Sequence, residues 1–197
     1  MNFLAHLHIA DSCQSSLLGN LLGDFVKGDP DRQFPQTIAQ GIRLHRFVDS
    51  YTDAHPLMKQ AKVLFPEGQR RFAGIALDVM WDHYLARQWK SYHSSTLNGF
   101  CLKSEKTIQD EQTMPVPERF VIVVNRMWRG RWLESYQHLD NIEFALNRMS
   151  ERSSRMTPLA DCFTHLEKNY APLEQLFSDF YPDLLSTSRE FCVNSGN

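Results

Sequence analysis

Two carboxylates and an imidazole sit in a stretch that has no polar face. The segment Asp78-Val79-Met80-Trp81-Asp82-His83-Tyr84-Leu85-Ala86 is helix-forming and apolar all round, the pattern of a buried helix. An isolated buried carboxylate costs several kcal/mol or is neutralised. Asp78 and Asp82 are four apart, so on a helix they point within roughly 40° of each other, and something positive must lie where they point. A divalent metal meets that need, and a metal inside an all-helical protein points to hydrolysis.

Two further polar clusters interrupt apolar helical stretches. Asp24 closes Leu21-Leu22-Gly23-Asp24, and Arg43-Leu44-His45-Arg46-Phe47-Val48-Asp49 presents His45 and Asp49 on one helical face. Imidazole nitrogens with carboxylate oxygens suit Mn²⁺, Fe²⁺ or Zn²⁺. Helices of a bundle hold such ions by inward-pointing ligands, and a bound ion lowers the pKa of its water toward ~7. The competing reading is structural ion pairing: Asp49 with Arg46 or Arg43, and Asp78 with Arg71. His6 and His8, two apart, do not share a helical face, so at most one reaches such a site. His55, His93, His138 and His165 read as solvent-facing.

Helical periodicity predicts the elements that must position these groups. Ser15-Ser16 cap a helix through Leu17 to Val26, and Pro35 opens one to Ala54. Pro56 to Phe65 is a short helix, and Arg70 to Tyr92 is the long central one. Further helices are expected over Ser94 to Glu111, Phe120 to Trp132, Leu139 to Arg152 and Pro158 to Phe191. The β-branched run Phe120–Val124 is the one alternative strand, but it has no partner and is read as helix. The chain reads as one all-α domain over residues 1–185, followed by a frayed Ser- and Asn-rich tail, 186–197.

The 197 residues, 42% of them hydrophobic and 23 of them aromatic, suffice for one sizeable core. A net charge of −2 argues against nucleic-acid binding. No apolar run approaches the ~20 residues of a membrane span, and the N-terminus lacks the basic region of a signal peptide. The scattered cysteines, Cys13, Cys101, Cys162 and Cys192, contain no Cys-x-x-Cys pair and read as free thiols in a reducing compartment. The expected location is the cytoplasm.

Four strings together resemble the acyl carrier protein phosphodiesterase family. They are Met1-Asn2-Phe3-Leu4-Ala5-His6-Leu7-His8, Gly19-Asn20-Leu21-Leu22-Gly23-Asp24-Phe25-Val26, Leu44-His45-Arg46-Phe47-Val48-Asp49 with Thr52-Asp53, and Asp78-Val79-Met80-Trp81-Asp82-His83. The resemblance implies a distorted version of the HD-type metal-dependent phosphohydrolase fold. It also implies cleavage of the phosphodiester joining 4′-phosphopantetheine to a serine of holo-acyl carrier protein, with Mn²⁺ preferred and Mg²⁺ or Fe²⁺ as substitutes. HD-type enzymes use a His-Asp doublet, whereas here the order is Asp82-His83, so the ligand choice among Asp78, Asp82 and His83 stays open. The expected ligands are Asp24, His45, Asp82 and His83. Asp49 and Asp78 are the expected catalytic carboxylates, and Arg46 the group that neutralises phosphate charge. The acidic carrier would dock on Lys27, Arg43, Arg46, Arg70 and Arg71. Two rival readings are an HD-like hydrolase of a nucleotide or other small phosphodiester, and a non-catalytic helical module that binds a protein.

Overall fold

The computed structural model describes residues 1–195, and every regular element among them is helical. In chain order these are α1 (Phe3–Ser12), α2 (Leu17–Leu22), α3 (Gln36–Ala54), α4 (Pro56–Val63), α5 (Arg70–Arg87) and α6 (Trp89–Tyr92). There follow α7 (Leu97–Glu111), α8 (Glu118–Arg129), α9 (Trp132–Ser135), α10 (Leu139–Ser150), α11 (Cys162–Lys168) and α12 (Tyr170–Ser195). The expected all-α class is what the chain adopts, and no described helix is long and apolar enough to cross a membrane.

Local signals set most boundaries. Ser16 Oγ accepts from Gly19 N–H at 2.8 Å to start α2, and the same hydroxyl donates to Glu111 at 2.7 Å, tying α2 to the end of α7. Thr96 caps α7 in the same way, and Pro56 stands at the first turn of α4. The Phe120–Val124 run lies inside α8, with Phe120 and Val124 buried and Ile122 exposed; three- and four-residue spacing overrides β propensity here.

Helix α5 is the axis of the molecule. Its whole middle, Val79 through Ala86, is buried, and α1, α4, α10 and α11 surround it. An aromatic stack completes this core: Trp81 meets Phe177 at 5.9 Å, and Phe177 stacks on Tyr181 at 5.0 Å.

Four expectations need correction. The central helix stops at Arg87, and Trp89–Tyr92 form a separate turn. The helix expected from Pro158 to Phe191 divides into a 3₁₀ turn at Ser154–Leu159, then α11 and α12, because Asn169 caps the end of α11 by donating to the His165 carbonyl at 2.8 Å. Residues 186–195 do not fray: α12 runs through them, Ser188 is buried, and Phe191 stacks on Phe47 at 4.2 Å. Gly196 and Asn197 of the expected tail lie outside the described residues. Finally, His55, His93 and His165 are half-buried rather than solvent-facing. His55 caps α4, and His93 stacks on Trp89 at 5.1 Å.

Candidate active site

Four side chains from three segments converge. Helix α3 presents His45 and Asp49 one turn apart, α1 presents His6, and Asp24 follows directly on α2. His45 Nε2 lies 3.1 Å from Asp49 Oδ2 and 3.5 Å from Asp24 Oδ1. His6 Nε2 lies 3.1 Å from the other Asp49 oxygen, and the two imidazoles stack at 3.9 Å. One ligand atom from each of His6, His45 and Asp49 falls within 4.8 Å of the others. The arrangement depends on Gly23: a Cβ there would come 2.1 Å from the His45 ring.

The electrostatics are those of a cation site. Burial first, and the neighbouring His45 second, pull His6 down to about 4, so its ring is neutral. Burial also opposes the charge on His45, but the Asp24 and Asp49 carboxylates outweigh it and lift the group to about 9. Burial likewise opposes ionised Asp49, yet the hydrogen bond from charged His45 holds it far below the carboxylate range. Asn20 Oδ1 meets His6 Nδ1 at 3.2 Å. That contact fixes the ring proton on Nδ1 and leaves the Nε2 lone pair facing a carboxylate oxygen. Two acceptors at 3.1 Å need a positive charge beside them. The residues therefore fit a divalent ion held by neutral imidazole and carboxylate, with Asn20 orienting one ligand from behind. Protonated His45 carries positive charge between the Asp24 and Asp49 carboxylates.

Asp78 lies at the edge of this cluster. One of its oxygens accepts from the Met1 α-amino group at 2.9 Å, and Asp49 meets the same amine at 3.3 Å. Burial raises the Asp78 carboxyl above its ordinary value despite that amine. Asp24, Asp49, Asp53 and Asp78 line a cleft of about 310 Å³.

The structure does not bring the other expected groups here. Asp82 accepts from the backbone N–H of Leu4 at 2.8 Å and Ala5 at 3.0 Å, so both its oxygens are occupied by the unsatisfied first turn of α1. The positive partner that the Asp78–Asp82 face required is thus the beginning of α1, through its amine and its amides. His83 is committed as well, its ring nitrogens meeting the Tyr136 carbonyl at 2.7 Å and the Tyr170 hydroxyl at 2.8 Å. Arg46 donates to the carbonyls of Gly28 and Val26, each at 2.8 Å, and pins the loop after Asp24 instead of reaching the cleft. Arg43 pairs with Asp31. His6 was half legible, since only one of His6 and His8 was expected inside; His8 instead bonds the Tyr181 hydroxyl at 2.8 Å in the aromatic core. Asn20 went unread, although it stands one helical turn before Asp24.

Against known proteins, the family model for acyl carrier protein phosphodiesterase matches residues 1–184. The chain is 44% identical to the acyl carrier protein phosphodiesterase of Yersinia pestis, over 94% of this chain and 96% of that protein. It is 42% identical to the one of Escherichia coli O157:H7 over the same shares, and 43% identical to that of Pectobacterium atrosepticum over 96% and 98%. No solved structure is a significant match, so the expected likeness to HD-type folds has no structural neighbour beside it. With nearly its whole length matched, and with His6, Asp24, His45 and Asp49 drawn together from the strings that carried the resemblance, the chain belongs to the acyl carrier protein phosphodiesterase family.

Proposed function

We propose that this protein hydrolyses the phosphodiester linking 4′-phosphopantetheine to the serine of holo-acyl carrier protein, releasing apo-carrier and 4′-phosphopantetheine. His6, Asp24, His45 and Asp49 would hold a divalent ion, Mn²⁺ by preference. The observation that carries the reading is the two-imidazole, two-carboxylate cluster beside an open cleft, in a chain whose relatives bear the name of this activity. When bound, the ion supplies Lewis acidity, acidifying water and neutralising phosphoryl charge.

The chain's own residues do the rest. Asn20 keeps His6 in the tautomer whose Nε2 can ligate. Asp78, its carboxyl raised by burial and open to the cleft, handles a proton at its free oxygen, which suits the alkoxide leaving from the carrier serine. Four unpaired thiols accord with a reducing, cytoplasmic setting where carrier proteins would be met. To test the reading, holo-carrier is incubated with the protein and Mn²⁺ and then weighed by mass spectrometry. Loss of the prosthetic group is expected with Mn²⁺, and not with chelator or with His45→Ala. A carrier whose mass never changes would overturn the reading.

A further inference from the structure

The cleft beside the metal cluster has a second face of different chemistry. Besides the four aspartates, its lining includes Ile75, Trp132, Met149 and Arg152. Those carboxylates would repel an anionic phosphodiester, and the Met1 amine is already shared by Asp49 and Asp78. Arg152 is the one side-chain cation in the lining, it is exposed, and among the described residues it forms no ion pair. Its guanidinium can take phosphoryl oxygens two at a time.

The apolar part of this face is placed by strained backbone. Arg131 adopts the left-handed region at φ 48° immediately before Trp132. A Cβ on Gly130 would meet the Trp132 indole at 2.4 Å. Arg131 is held there by Glu134 at 3.2 Å and Asn98 at 2.7 Å. A non-glycine residue kept left-handed is strained and persists only where the surrounding structure over-determines it. Here the strained turn sets an indole, only half-buried, at the edge of the cleft.

We propose that Arg152, Trp132 and Met149 form the subsite for the prosthetic arm of the substrate. The guanidinium takes a non-bridging phosphoryl oxygen, and the indole and thioether cover the aliphatic amide stem. This assignment deepens the proposed function and rests on it for the identity of the ligand. A cleft of about 310 Å³ lies at the small end of the ligand-pocket range, fitting an extended arm rather than a protein domain. The carrier itself then stays outside, and selectivity arises where its arm enters.

The test uses free 4′-phosphopantetheine and the Mn²⁺-loaded full chain in titration calorimetry, with wild type, Arg152→Ala, Arg152→Lys and Trp132→Ala. Binding should weaken about tenfold or more in Arg152→Ala, the scale of a lost charge-assisted pair, and partly recover in Arg152→Lys. Trp132→Ala should weaken it too. In parallel, KM for holo-carrier should rise in Arg152→Ala with kcat less affected, while Mn²⁺ affinity and Tm stay at wild-type values. Equal affinity of wild type and Arg152→Ala for 4′-phosphopantetheine, or no binding by either, would overturn the subsite. A wild type that binds the compound through Arg152 but leaves holo-carrier intact would overturn the proposed reaction and keep the subsite.

Discussion

At the scale of single residues, the chemistry turns on which atom carries a proton. His45 holds its proton to about pH 9 because two carboxylates face it, and an ion entering the cluster must displace that proton. Mn²⁺ affinity is therefore expected to strengthen steadily as pH rises from 6 toward 9, measured by calorimetry in buffers of differing ionisation enthalpy, with proton release accompanying binding. His45→Gln should bind weakly and with a flat pH profile; an affinity that ignores pH in the native protein would remove His45 from the ligand set. His8 behaves differently, because burial pulls it down to about 4 with no metal near. Unfolded, it titrates near 6.5. Above that value neither state binds the proton and the stability is complete. As pH falls from 6.5 toward 4, the unfolded chain takes up a proton that the folded chain refuses, at a cost on the order of 3 kcal/mol. His8→Gln should accordingly flatten the fall in urea midpoint between pH 6.5 and 4, and superimposable curves for the two proteins would refute this account.

At the scale of elements, two helices create the site by approaching more closely than side chains normally allow. Gly23 at the end of α2 lies under the His45 ring of α3, leaving no room for a methyl group. Gly23→Ala is expected to cost about 1–3 kcal/mol by overpacking and to weaken Mn²⁺ binding by moving His45, although residue 23 is itself no ligand. Unchanged metal affinity in a folded Gly23→Ala variant would show that the ring has slack. The central helix teaches what was legible. The sequence pattern showed that the Asp78–Ala86 stretch of α5 has no polar face and that Asp78 and Asp82 needed a positive partner. It could not tell a metal from the start of another helix, because both satisfy a carboxylate and the partner α1 lies far away in sequence. Asp24 was legible as a carboxylate interrupting an apolar stretch, and His45 and Asp49 as polar residues at four-residue spacing on an apolar helix. Arg46 misled: charge was visible, but the carbonyls of a loop that consume it were not. Trp132 and Arg152 gave no signal, since a left-handed residue at Arg131 and a turn after α10 follow from tertiary packing alone.

At the scale of the whole molecule, the chain carries a net charge of −2, so attraction to an acidic carrier must be local. Arg46 pins the loop Val26–Gly28 through two carbonyls and thereby fixes Lys27, exposed, close to Asp24. Arg43 is partly cancelled by Asp31. We expect kcat/KM for holo-carrier to fall steeply with added NaCl, and Lys27→Glu to reproduce much of that fall at low salt, since complementary charge chiefly speeds encounter and is screened. Equal salt sensitivity for a small phosphodiester would locate the effect at the cleft instead. The capping of α1 by Asp82 has a last consequence, for synthesis. The bonds to Leu4 and Ala5 span 78 and 77 residues, and the His8–Tyr181 bond spans 173. A nascent chain thus carries α1 with the part of its apolar surface that packs on α5 uncovered until α5 emerges. Contacts of such separation form slowly and leave intermediates prone to aggregate. His6 belongs to α1, so its place in the cluster that would hold the ion depends on a helix, α5, that is synthesised only after all the cluster's side chains.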